Sequence, residues 1–195
     1  VTKAELFRRL LQRTSENAAA VDREITAGLE VTGAVLVCDS AGFTATTRRH
    51  GILHFLSLLM ESYALSIPLV ATHHGTLIKN DADNLIAVFD RPEDAVRCAT
   101  AMQDAHQRRN AAANHADEHF HVCMGIDYGR FLRLTDDVFG DAVNLAYKLG
   151  EDLAERGEIL VTEGVVRTAG GAFHFAPLGS RDVGHVALPV YRVEW

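Results

Sequence analysis

Two acids stand where apolar runs end. Asp39 closes the run Ala34-Val35-Leu36-Val37-Cys38, and Asp83 lies in the turn cluster Asn80-Asp81-Ala82-Asp83-Asn84 between two short apolar segments. If the first run is a strand beside that second pair, both carboxylates converge on one spot. Paired carboxylates are hard oxygen ligands and suit Mg²⁺ or Mn²⁺ held together with a substrate phosphate. Ala41, Gly42, Phe43 and Thr44 follow directly and lead into a helical pattern, where free backbone N–H groups hold a phosphate. Taken singly, an Asp after a strand is more often a helix cap or turn residue, and that alternative stays open at this point. The histidines offer a second metal chemistry. Of His50, His54, His73, His74, His119 and His121, only His50 and His54 have i,i+4 spacing, and no cysteine lies near them. They read as structural or solvated side chains rather than zinc ligands.

The elements that must position these residues follow from periodicity. The continuous apolar run 34–38 reads as a strand buried on both faces. Leu53, Leu56, Leu59, Met60 and Tyr63 recur at helical spacing, Pro68 is expected to end that helix, and 69–72 reads as a short strand. Residues 76–89 read as a β-hairpin with acids at its tip. Asp90 and Glu93 have capping-box spacing before a helix whose buried stripe is Ala95, Cys98, Ala99 and Met102. Further strands are expected at 120–126, 130–134, 158–161, 173–178 and 190–193, with a helix carrying Ala142, Leu145, Ala146, Leu149 and Leu153. The order β-α-β-β-α-β predicts an α+β fold, a ferredoxin-like core with a mainly antiparallel sheet and helices on one face.

At this point three motifs become specific. Residues 35–44, Val-Leu-Val-Cys-Asp-Ser-Ala-Gly-Phe-Thr, resemble the opening metal motif of the class III nucleotide cyclases. Residues 78–89 resemble that family's Lys-x-x-Gly-Asp hairpin, and 137–149 its Asp-x-x-Gly-x-x-Val-Asn-x-Ala-x-Arg helix. Gly157 to Thr162 continues the likeness, which covers about residues 34–195.

The resemblance implies a reaction, ATP to cyclic AMP and pyrophosphate, and it implies roles. Asp39 and Asp83, with the Ser40 carbonyl, would bind two Mg²⁺ or Mn²⁺ ions. Lys79 and Asp137 would face the purine across a homodimer interface, Asn144 would orient the ribose, and Lys148 would stabilise charge on the transferring phosphate. Lys79 is a pure donor and Asp137 a pure acceptor, which complements the N1 and N6 edge of adenine and mismatches guanine. Asn144 and Lys148, four apart, share one helix face, although a Lys148–Asp152 surface pair has the same spacing. The chain departs from the family pattern at four places. Lys148 stands for an Arg, Cys123 for a phosphate-binding Arg, Val183 for a triphosphate-binding Lys, and Ala82 for the Gly before the second metal acid. Arg130 or Arg181 would be the compensating cations.

Composition sets the frame. A chain of 195 residues with 48% hydrophobic and 23% charged residues supports one good core and excludes disordered or collagen-like classes. The net charge of −7 lacks the footprint of a nucleic-acid binder, so no nucleic acid is expected, and no membrane either; the resemblance implies a nucleoside triphosphate and a second copy as partners. Cys38, Cys98 and Cys123 read as buried thiols of a reduced compartment. No signal peptide pattern is visible and no apolar run looks long enough to span a bilayer, so a cytoplasmic protein is expected. Residues 1–30 read as a helical arm before a domain at 31–195, packed either on a partner or on its own domain.

Overall fold

The structure is a computed structural model, and it describes residues 1–183 and 186–195. Helices α1 (Lys3–Leu10) and α2 (Ala18–Leu29) run directly into strand β1 (Glu30–Ser40). Then come α3 (Phe43–His50), α4 (Ile52–Thr72), the hairpin β2 (Thr76–Asp81) and β3 (Asn84–Phe89), and α5 (Pro92–Ala112). Strand β4 (Val122–Arg133) leads through the short β5 (Val138–Phe139) to α6 (Asp141–Tyr147) and a π-helical turn at Lys148–Leu153. Strand β6 (Ile159–Thr162), helix α7 (Glu163–Ala169) and strands β7 (His174–Val183) and β8 (Val186–Glu194) complete the chain. The sheet order is β2-β3-β1-β4-β6-β8-β7, with β5 paired to β4. The unit β1-α4-β2-β3-α5-β4 is the expected ferredoxin-like core. All its pairings are antiparallel, and β4–β6 is parallel.

Strand β1 is buried on both faces, which is why its sequence is continuously apolar rather than alternating. Ala34, Leu36 and Cys38 pack with Phe55, Leu58 and Leu59 of α4 and with Ala95, Cys98 and Met102 of α5. Val35 and Val37 pack the other way, against Ala142, Val143 and Ala146 of α6. Helices therefore cover both faces, not one as expected, because α6 follows β4 onto the opposite side. Glycine makes this possible. A Cβ on Gly125 of β4 would lie 2.1 Å from the Ala146 carbonyl oxygen and 2.5 Å from the Gly150 nitrogen. The helix backbone rests directly on the strand backbone there, and no side chain fits between them.

Several local expectations fail. Pro68 does not end α4, and 69–72 is helix rather than strand. The buried positions Phe55, Leu58, Leu59, Ser62, Ser66 and Val70 keep helical spacing through the proline. Burying Val70 on the sheet holds the last turn despite the lost N–H bond. Expected stripe residues Leu53, Leu56 and Met60 are exposed instead. With 21 residues and a mean hydropathy of 1.5 in its most apolar window, α4 is also long and apolar enough to cross a membrane by length and composition, contrary to expectation. Its inner side packs on the sheet as a core helix does. The capping box at Asp90 is absent: α5 is capped by Arg91, with Pro92 in its first turn and the Arg91 guanidinium 2.6 Å from Glu93. Pro92 fixes the start one residue later than the box requires.

The arm packs on its own domain. Leu6, Ile25 and Leu29 bury together with Leu134, flanked by Leu132 and Phe139.

Candidate active site

The first group forms at the end of β1. Asp39 and Ser40 are its last two residues, and the β2–β3 tip brings Asp83 beside them, where the Ser40 hydroxyl donates to Asp83 Oδ2. The tip is a two-residue turn, Ala82-Asp83, between the paired residues Asp81 and Asn84. Ala82 takes a left-handed φ of 52°, which explains why glycine is the usual residue there. The Tyr63 hydroxyl of α4 donates to the carbonyls of Ala82 and Asn84 at 3.1 and 3.2 Å and braces the turn. Burial, then the neighbouring Asp83 charge, pushes the Asp39 carboxyl up to about 6. Glu151 of the π-helical turn adds to that field, and it accepts from Asn84 Nδ2 at 2.7 Å.

Among the described residues neither Asp39 nor Asp83 pairs with a Lys, Arg or His. A half-buried carboxylate pair without a cation partner fits a hard divalent ion. Two carboxylates leave the remaining positions to water and substrate phosphate, as Mg²⁺ and Mn²⁺ prefer.

The second group is Lys79 and Asp137. Lys79 Nζ lies 3.0 Å from Asp137 Oδ1 and 3.2 Å from Asp81. The Val138 N–H also donates to Oδ1, at 2.9 Å, and Lys3 Nζ of α1 lies 2.7 Å from Oδ2. Burial pushes the Asp137 carboxyl up, but the hydrogen bonds from Lys3, Lys79 and Val138 outweigh it and hold the group below the usual carboxylate range.

The third group is on α6 and the turn after it. Asn144 and Lys148 are exposed and line one cavity of about 420 Å³ with Leu145, Tyr147, Val183, Val186 and Leu188. Lys148 Nζ is 2.7 Å from Asp152, the surface pair its spacing allowed. Asp39, Asp83, Lys79 and Asp137 are not among the residues lining that cavity.

The surface beside Ala41 holds residues that sequence reasoning missed. A cavity of about 610 Å³ adjoins Ala41 and is lined by Arg49, His50, His115, Asp117, His119, His121 and Arg156. Among the described residues Arg49 and Arg156 have no carboxylate partner. Arg156 Nη2 lies 3.8 Å from where a Cβ on Gly42 would stand, so it faces the start of the Gly42–Thr44 stretch. Arg130 sits opposite Thr32 at the far end of β1 and pairs with Glu30 at 3.5 Å, which removes it as the compensating cation. Arg181 is on the edge strand β7, opposite Leu188. Cys123 is buried beside Asp39 in the ladder, and burial pushes its thiol up to about 11. It packs as a neutral side chain where a cation was expected.

Comparison with known proteins fixes the class. The model of the adenylate and guanylate cyclase catalytic domain matches residues 30–187, and the chain belongs to that family. Adenylate cyclase 1 of Rhizobium meliloti is 27% identical over 194 residues, covering 90% of this chain and 28% of that protein. The first three curated relatives are matched over only 16% to 28% of their own length. An adenylate/guanylate cyclase/hydrolase from Silicibacter pomeroyi superposes with a TM-score of 0.75 at 28% identity, over 84% of this chain and 96% of that one. The adenylyl cyclase CyaB from P. aeruginosa shares the fold with a TM-score of 0.73 at 20% identity, over 85% and 95%.

Proposed function

We propose that this chain converts ATP to cyclic AMP and pyrophosphate at sites shared between two copies, with residues 1–30 as an arm on a cyclase domain at 31–195. The observation that carries the choice of ATP is the Lys79–Asp137 contact of 3.0 Å. It sets a donor and an acceptor side by side, which complements the N1 acceptor and N6 donor of adenine, whereas guanine presents the reverse pattern. Asp39 and Asp83, with the Ser40 carbonyl, would hold two Mg²⁺ or Mn²⁺ ions. When bound, these supply charge neutralisation at the phosphates and a lowered pKa for the ribose 3′-hydroxyl.

The 3′-oxygen forms a bond to the α-phosphorus as the bond from that phosphorus to the β-bridging oxygen breaks. Asn144 orients the ribose. Lys148 leaves Asp152 and meets the charge on the transferring phosphate as a point cation, without the two-pronged grip of an Arg. The backbone of Ala41, Gly42, Phe43 and Thr44 and the Arg49/Arg156 cavity receive the departing pyrophosphate. The arrangement acts through positioning and charge. The cavity of Asn144 and Lys148 is lined without the metal acids of its own chain, which supports a site shared between two copies.

A second reading, a nucleotide-binding module with little turnover, draws on Cys123, Val183 and the Lys148–Asp152 pair. Product analysis after incubation with ATP, GTP, CTP and UTP and Mn²⁺ decides. Cyclic AMP as the main product supports the first reading, a different cyclic nucleotide refutes the base assignment, and binding without product favours the second.

A further inference from the structure

The first residues of the arm are fastened to the loop that carries Asp137. The Thr135 N–H donates to the Val1 carbonyl at 3.1 Å, and the Lys3 N–H donates to Asp136 Oδ1 at 2.7 Å. A capping box between Thr2 and Glu5 starts α1 and fixes where Lys3 points. Behind it Phe7 lies 5.9 Å from Phe139, and Leu6 is buried with Leu134. From this platform Lys3 Nζ reaches Asp137 Oδ2 at 2.7 Å, while Lys79 and the Val138 N–H hold Oδ1. Asp137 has only 5% of its side chain exposed, and among the described residues three donors reach its carboxylate.

We propose that Lys3 is a specificity-positioning residue of the base site: it clamps Asp137 through Oδ2 so that Oδ1 and Lys79 are left to read the purine edge. This rests on Lys79 and Asp137 being the base readers. The chemistry requires such a clamp. When an adenine enters, Lys79 transfers from Oδ1 to the ring acceptor, and Oδ1 takes the exocyclic amine. Among the described residues Lys79 is the one side-chain donor to the carboxylate besides Lys3, and it would then be lost at the moment the group must stay oriented and ionised. Lys3 remains on Oδ2 throughout. A carboxyl free to rotate or take a proton would present an O–H donor, which suits the guanine carbonyl and weakens discrimination. Lys3 does not touch the base itself. It acts through Asp137.

The test compares Lys3→Gln, Lys3→Arg, Asp136→Asn and Asp137→Ala with the wild-type chain. Binding is measured by calorimetry with 3′-deoxy-ATP and 3′-deoxy-GTP, which cannot cyclise, alongside turnover of ATP and GTP. Lys3→Gln should raise the KM for ATP about tenfold with kcat within about twofold, the loss of one charge-assisted hydrogen bond. The same fall should appear in 3′-deoxy-ATP affinity, with the ATP-over-GTP preference narrowed, and Lys3→Arg should restore most of both. Asp136→Asn takes the charge from the other anchor of the same helix, leaving the Lys3 N–H a weaker neutral acceptor, and should leave the nucleotide preference unchanged. If Asp136→Asn and Lys3→Gln shift the preference equally, Lys3 is only a brace for the arm and the proposal fails. It also fails if Asp137→Ala alters the preference and Lys3→Gln does not, with the base assignment intact. If Asp137→Ala alters nothing, the base assignment itself is wrong, and the proposal falls with it.

Discussion

Replacing Asp39 by Asn should make the metal-free protein more stable while removing its activity. Asp39 is half-buried next to Asp83, and its carboxyl is pushed up from 3.8 to about 6, first by burial and then by that charge. A rise of that size corresponds to ~3 kcal/mol as an upper bound. Partial exposure and solvent screening reduce this to roughly 1 kcal/mol. For a chain of this size that is about 2–4 °C in Tm. The sign follows from linkage: a carboxyl whose folded pKa is raised costs stability fully above the folded value, and the cost disappears below the unfolded value. The gain of Asp39→Asn should therefore be complete at pH 7.5 and shrink as pH falls from about 6 towards 4. The assay is a thermal melt in EDTA across that range. Mn²⁺ at about a hundred times its Kd should then raise the wild-type melting point by the equivalent of ~2.7 kcal/mol and the variant by much less. An Asp39→Asn protein that melts below wild type at pH 7.5 in EDTA would refute the account of Asp39 as a group strained by its neighbour and waiting for a cation.

Other outcomes follow from the same geometry. Asp39→Asn and Asn144→Ala, each inactive alone, should recover about a quarter of wild-type activity when mixed, since random pairing leaves one intact site in half of the dimers; no recovery despite proven subunit exchange would place the whole site in one chain. Arg156→Ala should raise the KM for ATP about tenfold and weaken pyrophosphate inhibition similarly, both read from steady-state kinetics. Ala82→Gly should stabilise the protein by ~0.5–1 kcal/mol in denaturant melts, because it relieves a left-handed alanine. Gly125→Ala should cost at least ~2 kcal/mol and lower activity with it, because it drives α6 and Asn144 off the strand.

Much of the fold was readable because its signals are local. The unbroken run 34–38 meant a strand covered twice, and the polar cluster at 80–84 meant a turn. The two candidate acids, Asp39 and Asp83, were legible for the same reason, each lying next to a recognisable strand end. Pro68 misled because the force that carries α4 through it is burial of Val70 on a distant sheet, which no window around the proline contains. Both expected segments of β4 fused into one strand because β1 pairs with it along its whole length. Arg156 and Lys3 were invisible for a related reason. Each acts on a residue far away in sequence, Gly42 and Asp137, and neither stands within a motif. The compensating cation was sought in the strands, whereas the one proposed, Arg156, lies in the turn before β6.

The β1–β4 ladder has a kinetic meaning. Its eleven partner rows join residues roughly 80 to 100 positions apart, while the hairpins β2–β3 and β7–β8 are closed locally. Loop closure of that length must be met before the central contacts give anything back, so the β1–β4 ladder closes late. Asp39 rides near the very end of β1, and its partner Asp83 waits on a hairpin that forms early. The two acids meet through the nearer β1–β3 ladder, whose rows join residues about 50 positions apart, so the carboxylate pair does not wait for the slowest ladder to zip shut.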